Sequence, residues 1–302
     1  MKYSKLAIEI LRDEEKSIYY DPIYHGRTLK IFGIDDDPLR VLKYIADGYR
    51  KLGYEVIIFD THGEFPEDGF DTVLKIEDGK PAGLDPIRMA KKGMIDLYSA
   101  ATLLQTVYEL DRVLTDRLYV DILRGKISSV PEAAKAGEKY SEVIMESYTA
   151  LDEAFYEGEP PELGRNILVN LGEAHSVSIV GTAFLVLAAA VEKRRGVMVG
   201  VDDAAVLAYT TAGSAAMPLL TRPARKRLTV LGTRYAIDSV LNIAGPTLLL
   251  YTDPDIQSVI YESNGVPPGA MRRHVHKGRG ALITRTTETV SVEEGELLSQ
   301  PL

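Results

Sequence analysis

The chain has 302 residues, 45% of them hydrophobic, so it carries enough apolar material for one large α/β domain or two small ones. Its formal net charge of −9 argues against a protein that coats nucleic acid without selectivity, and the absence of cysteine excludes disulfides and Cys-ligated metal. No apolar run reaches a membrane span, the nearest (Ile179 to Val191) being broken by glycine, and no basic start leads into an apolar stretch, so a cytoplasmic protein without a signal peptide is expected.

In chain order, residues 6–11 and 17–20 read as a hairpin around Arg12-Asp-Glu-Glu-Lys16. A short apolar strand follows at 28–32, then a helix from Pro38 to Leu52 ended by Gly53, then the apolar strand Glu55 to Asp60. Strand, helix, strand in this order is a βαβ unit and implies a parallel sheet. Thr61-His-Gly-Glu-Phe65 is a polar loop at the carboxyl end of a strand, the edge where open α/β sheets bind ligands. Residues 73–76 read as a further strand, and from about Ile87 to Phe155 the pattern is helical, with loops near Gly125 to Pro131. Gly158-Glu-Pro-Pro161 closes that stretch. A strand from Asn166 to Leu171, a small-residue helix from about Ser176 to Arg195 and a strand from Gly196 to Val201 come next. Strands at 228–232, 246–251, near 281–284 and near 288–292 complete the chain, alternating with short helices. The expected fold is α/β: a doubly wound, mostly parallel sheet flanked by helices in one domain over 1–302, with a helical insertion at 87–160.

The turn between the first βαβ strand and its helix is Gly33-Ile-Asp-Asp-Asp-Pro-Leu-Arg40. It sits where a phosphate-binding loop would lie, with Pro38, Leu39 and Arg40 in place of the second Gly, the Lys and the Ser/Thr. Such a loop works because backbone N–H groups point at phosphate and a Lys neutralises it. Pro38 has no N–H to offer. Asp37 followed by Pro38 is instead a helix start, with Asp as the cap and Pro first in the helix, and Asp35 to Asp37 favour the positive end of the helix dipole. The alternative function for those carboxylates is to bind a divalent cation, though most such runs are solvated caps.

The strand from Gly196 ends in Asp202-Asp203-Ala204. Paired acids at a strand end can hold Mg²⁺ and orient an attacking water, with Asp202 suited to the first task and Asp203 one methylene short of the Glu that does the second. Arg225, Lys226 and Arg227 precede the strand at 228, either as a solvated basic end or as cations that reach a neighbouring subunit. Arg272, Arg273, Lys277 and Arg279 form a second basic group, a soluble surface or a contact for phosphate backbone. His274 and His276 are spaced to share a metal ion on a strand, with no acid close by in the sequence.

Together these pieces resemble the HerA/FtsK superfamily of ring-forming, DNA-pumping ATPases, HerA above all, in order from about residue 19 to 295. Ile57-Ile-Phe-Asp-Thr-His-Gly-Glu-Phe65 is similar to that family's strand and Asp-x-His-Gly-Glu-Tyr, and Gly83-Leu-Asp-Pro-Ile87 to its Asn-Pro-Leu stretch. Val199-Gly-Val-Asp-Asp-Ala204 resembles the Walker B Asp-Glu-Ala, Ala224-Arg-Lys226 the Gly-Arg-Lys of a trans-acting Arg, and Gly232-Thr-Arg234 the Thr-Gln-Arg sensor. Tyr251-Thr-Asp-Pro-Asp255 and Gly278-Arg-Gly-Ala-Leu282 fit the last strands. The resemblance implies a RecA-like fold, with Gly33, Asp37, Leu39, Arg40, His62 and Glu64 at the nucleotide. It places Asp202, Asp203, Thr233 and Arg225 in catalysis, Asp202 also at the metal, and Arg272, Arg273 and Lys277 at nucleic acid.

The departures all fall on catalysis: the phosphate loop lacks its Lys and second Gly, the Walker B Glu is Asp203, and the sensor Gln is Thr233. The expected function is therefore a pseudo-ATPase of archaeal, thermophile type, in keeping with only seven Asn and Gln. It would serve as a structural or regulatory subunit in DNA processing, repair or transport and use no cofactor. ATP and Mg²⁺ would be needed only by an active hydrolase, the second reading, with Lys30, Arg40 or Lys43 replacing the missing Lys. A nucleotide-independent DNA-binding module is a third reading and a scaffold ring a fourth. Expected partners are further copies or an active HerA-like ATPase in a ring, with a nuclease or DNA beyond it. The chain starts close to its first core strand, and no N-terminal barrel is expected.

Overall fold

The computed structural model describes residues 3–14, 16–34, 37–222, 227–267, 274–286 and 289–298. Asp35, Asp36, Arg225, Lys226, Arg272 and Arg273 lie outside the described residues. In chain order the elements are β1 (Ile8–Asp13), β2 (Lys16–Tyr20), β3 (Thr28–Phe32), α1 (Asp37–Lys51), β4 (Glu55–Asp60) and β5 (Thr72–Lys75). Helices α2 (Pro86–Lys91), α3 (Leu97–Tyr108), α4 (Arg112–Leu123), α5 (Val130–Ala134), α6 (Lys139–Ser147) and α7 (Ala150–Tyr156) follow. Then come β6 (Ile167–Asn170), α8 (Val177–Val191), β7 (Val197–Val201), α9 (Ala204–Ala208), α10 (Thr211–Thr221) and β8 (Leu228–Thr233). The chain closes with α11 (Asp238–Leu241), β9 (Thr247–Leu250), α12 (Pro254–Ser263), β10 (Arg279–Arg285) and β11 (Val290–Leu297).

The backbone divides into two compact units, one of Met1–Thr61, Arg194–Ala208 and Thr221–Leu302, the other of His62–Lys193 and Tyr209–Leu220. In the first unit the strand order is β2-β1-β11-β10-β9-β3-β8-β7-β4. The ladders β9–β3, β3–β8, β8–β7 and β7–β4 are parallel. On the other side of β9, the ladders through β10, β11, β1 and β2 are antiparallel, so the N-terminal hairpin and the C-terminal strands extend the same sheet. Strands β3, β7 and β8 are buried at every position, which explains why they read as continuous apolar runs rather than alternating ones. Helix α1 buries Val41, Leu42, Ile45, Ala46 and Tyr49, a single stripe at helical spacing. Its Leu42 lies close to Gly200 of β7, where a Cβ would stand 2.8 Å from Leu42 Cδ1.

The α1 boundary differs from the sequence reading by one position. Asp37 is the first residue of the helix and not its cap, which makes Pro38 the second; proline is tolerated there because the first-turn N–H groups have no intrahelical partner. The strand expected from Gly196 begins at Val197, since Gly196 adopts φ +66°. Helix α8 starts at the Ser176 cap and stops at Val191, short of Arg195.

In the second unit β5 and β6 pair in parallel. Five of the six helices from Pro86 to Tyr156 begin at side-chain caps of the types that favour helix starts: Asp85 for α2, Asp96 for α3, Asp111 for α4, Ser129 for α5 and Thr149 for α7. Asp85 does more than cap. One carboxylate oxygen accepts the N–H groups of Ile87 (2.8 Å) and Arg88 (3.1 Å), and the other accepts Val130 N–H at 2.8 Å, which joins the starts of α2 and α5. Burial pushes its carboxyl up to about 6 against the pull of these N–H groups. Gly83 N–H donates to Glu157 O at 2.8 Å, so the Gly-Glu-Pro-Pro stretch returns to where the helices begin. Among the described residues no helix is long and apolar enough to cross a membrane.

Candidate nucleotide-type site at the carboxyl edge of the first unit

Strands β4, β7, β8, β3 and β9 run parallel, so their carboxyl ends share one edge, and Gly33, Asp37, Asp202, Asp203 and Thr233 stand at or just beyond it. The turn after β3 is tied to its neighbours on both sides. Gly33 N–H donates to Thr233 O (3.2 Å) at the end of β8, and Ile34 N–H donates to Tyr251 O (3.2 Å) just beyond β9. Asp37 N–H donates back to Ile34 O at 3.4 Å. Pro38 is buried, and its ring lies against two glycines. A Cβ on Gly33 would stand 3.0 Å from Leu250 Cβ and 3.3 Å from Pro38 Cγ, and one on Gly232 would stand 3.5 Å from Pro38 Cβ. Leu39 is half-buried and Arg40 is exposed.

The acidic side of this edge comes from β7 and β4. Asp202 and Asp203 are both buried, as is Asp60 at the end of β4. Asp202 N–H donates to Phe59 O at 2.8 Å, and its carbonyl accepts the Thr61 hydroxyl at 3.1 Å. Asp203 has φ +48°, a left-handed conformation that Asp tolerates better than most side chains. Its Oδ1 accepts Arg234 N–H at 3.5 Å, which links the ends of β7 and β8. Thr233 spends its hydroxyl on its own turn, donating to Tyr235 O (3.0 Å) and accepting Tyr235 N–H (3.1 Å). Among the described residues no three His, Asp or Glu side chains stand together as a ready-made metal cluster.

Lys30, considered above as a replacement for the missing lysine, is buried in β3 with its Nζ donating to Leu241 O of α11 at 3.0 Å. Desolvation lowers its pKa to about 8. Sequence reasoning misses Asp60, although an acid closing an apolar strand ahead of the His-Gly-Glu loop is an available signal. His62 and Glu64 belong to the second unit, and both are exposed. The backbone there is tightly fitted: Gly63 adopts φ +73°, and a Cβ on Gly172 would stand 2.7 Å from the carbonyl of His62. Lys277 is exposed in the turn before β10. A cavity of about 520 Å³ in the second unit is lined by Asp121, Lys126, Lys135 and Tyr140 among others. Its buried Asp121 is paired with Lys126 (3.2 Å) and Arg117 (3.4 Å), a charge-balanced pocket.

No protein-family model matches this sequence, and no characterised protein matches it by sequence. Solved structures do match. VirB4 of Thermoanaerobacter pseudethanolicus aligns with a TM-score of 0.71 at 12% identity, over 99% of this chain and 98% of its own. The bacterial conjugative coupling protein TrwBΔN70, in an unbound form, aligns with a TM-score of 0.54 at 13% identity, over 97% of this chain and 89% of its own. At these identities the likeness establishes architecture: the chain has the mixed α/β, RecA-like fold of P-loop NTPases, a sheet flanked by helices.

Proposed function

We propose that this chain is a pseudo-ATPase of the HerA-like kind, acting as a structural or regulatory subunit in DNA processing, repair or transport. The observation that carries this reading is the turn after β3, where the N–H groups of Gly33, Ile34 and Asp37 are already donated to carbonyls of the same fold. A phosphate loop keeps such groups available to the ligand. Here Pro38 supplies no N–H, and its ring occupies the space beside Gly33 and Gly232. Leu39 leaves the β- and γ-phosphates without their fixed counter-charge, and Asp37 adds a like charge beside them. The described residues therefore do not fit MgATP in its usual pose.

Of the cations that the active-hydrolase reading offers, Lys30 donates its ammonium to the carbonyl of Leu241 at 3.0 Å, which disfavours it as the replacement. The likeness to a conjugative coupling protein supports a place in DNA transport. In a ring with an active HerA-like ATPase, or with further copies, Arg225 would serve the neighbour's site. The test is calorimetry with MgATP and with ADP. The expected result is no heat of binding at millimolar nucleotide, and micromolar binding of either nucleotide overturns the reading.

A further inference from the structure

The cavity of about 520 Å³ in the second unit takes no part in the site above, and a helix end places its central charges. Helix α4 closes at Gly125, which adopts φ +72°. Gly125 N–H donates to Ile122 O (3.0 Å) and Lys126 N–H folds back to Asp121 O (2.9 Å), the paired closing bonds of a Schellman turn. That turn returns Lys126 to the side of Asp121, and the two side chains meet with Nζ 3.2 Å from Oδ1. The other carboxylate oxygen, Oδ2, accepts the Tyr140 hydroxyl of α6 at 3.2 Å and lies 3.4 Å from Arg117 Nε.

Two valences stay open. Asp121 is 2% exposed, yet its Oδ1 has no hydrogen-bond partner among the described residues, because the Lys126 ammonium stands close without the angle of a hydrogen bond. Lys126 is exposed, and among the described residues Asp121 is its one ion-pair partner. The other charges of the lining are spent: Glu132 on the N–H (2.7 Å) and hydroxyl (2.6 Å) of Ser128, Lys135 on Glu153 (2.6 Å), and Glu138 on Arg117 (3.5 Å). Burial works to raise the Asp121 carboxyl, but Lys126, Tyr140 and Arg117 outweigh it and hold the group below its ordinary value, so it is ionised at neutral pH. Ile127, Pro131, Ala136 and the Tyr140 ring complete the wall with apolar surface.

We propose that this cavity binds a free α-amino acid with a large apolar side chain. A carboxylate oxygen and an ammonium 3.2 Å apart complement the head group of such a ligand, which carries an ammonium and a carboxylate on one carbon. The ligand ammonium would donate to Asp121 Oδ1 and its carboxylate would accept from Lys126, so both open valences close and no net charge is added to the cavity. A ligand with one charge alone meets the wrong member of the pair, a cation meeting Lys126 and an anion meeting Asp121. The volume lies within the range of small-molecule sites, about 300–1,000 Å³, and exceeds what a head group fills. The apolar wall is therefore left to a side chain of phenylalanine size. The inference does not depend on the pseudo-ATPase reading.

The experiment is calorimetric titration of the purified full chain with L-phenylalanine, with thermal melting alongside. Two analogues accompany it: 3-phenylpropionate, which lacks the ammonium, and 2-phenylethylamine, which lacks the carboxylate. The variants are Lys126→Gln and Ala136→Trp, both at exposed positions, with Lys80→Gln elsewhere in the second unit as control. The expected result is saturable binding of phenylalanine, with each analogue weaker by about tenfold or more. Lys126→Gln should weaken phenylalanine and strengthen 2-phenylethylamine, since the opposing ammonium is gone. Ala136→Trp should abolish binding by filling the cavity, and Lys80→Gln should leave it unchanged. The melting of each unliganded variant checks that its fold is in place. No saturable heat and no rise in melting with phenylalanine overturns the site, as does binding indifferent to both Lys126→Gln and Ala136→Trp. Either analogue binding as tightly as phenylalanine overturns the paired recognition of the head group.

Discussion

Asp85→Asn isolates one buried carboxylate whose energetic sign runs against intuition. Asp85 is fully buried and accepts three backbone N–H groups, yet burial outweighs them and pushes its pKa up to about 6. In the unfolded chain an Asp titrates near 3.9, so the two states differ by about two pH units, or about 3 kcal/mol at ~1.4 kcal/mol each. Between these two values the folded chain holds a proton that the unfolded chain has released, so stability falls as pH rises. The contribution is fully present below about pH 4 and is lost as pH rises through about 6. The substituted amide would keep an Oδ1 acceptor for Ile87 and Arg88, but its NH₂ would face the Val130 N–H, a pH-independent loss of about 1 kcal/mol. Urea unfolding of both proteins across this range gives the test. The wild-type stability, measured relative to Asp85→Asn, should fall by up to about 3 kcal/mol from about pH 4 to about pH 7. Parallel pH profiles would refute the reasoning.

Three further outcomes follow from the first unit. Lys30→Met should raise the melting temperature at neutral pH, because the buried ammonium is charged in both states below about 8. From about 8 upward the folded chain releases that proton before the unfolded chain does, so wild-type stability recovers and the gap should close towards about pH 10.5; a gap that widens sinks the account. Gly33→Ala should destabilise by about 1–3 kcal/mol in denaturant unfolding, since the added methyl would stand 3.0 Å from Leu250 Cβ and 3.3 Å from Pro38 Cγ and the buried neighbours would have to shift. Arg225→Ala should lower the ATPase rate of a mixed ring with an active HerA-like partner and leave this chain's own melting unchanged. An unaltered rate in that complex removes the trans-acting role.

Much of the architecture is legible in the sequence because it rests on local chemistry. Apolar runs locate β3, β4, β7 and β8, and the start of α8 at Ser176 is read correctly, whereas the separate helices between Pro86 and Tyr156 are read only as one helical stretch. Boundaries slip where a single backbone angle decides, as at Gly196. The acids Asp202 and Asp203 are legible as a strand end, but their burial is not. What escapes depends on which distant strand lies alongside. Gly33 and Ile34 lose their N–H groups only because β8 and β9 flank β3. Asp85 meets Val130 across 45 residues. No window of sequence contains those pairs.

The two halves of the candidate site differ in character, and the difference bears on the proposed function. The acidic half keeps Asp60, Asp202 and Asp203 buried at adjacent strand ends, with Asp203 in a left-handed conformation that only a few side chains accept. Unrelated packing would favour apolar residues there, because burying carboxylates is costly unless they are satisfied. On the proposed reading the phosphate half is closed. Gly33, Ile34 and Asp37 satisfy their N–H groups internally, and Pro38 takes the volume beside the glycines. An open phosphate loop carries unsatisfied donors until its ligand arrives, whereas Gly33, Ile34 and Asp37 have carbonyl partners without one. On the proposed reading, closing the loop removes the dependence of this edge on nucleotide and holds α1 and β8 in one arrangement. A subunit that keeps its partner-facing geometry through every turnover of an active neighbour would need that property.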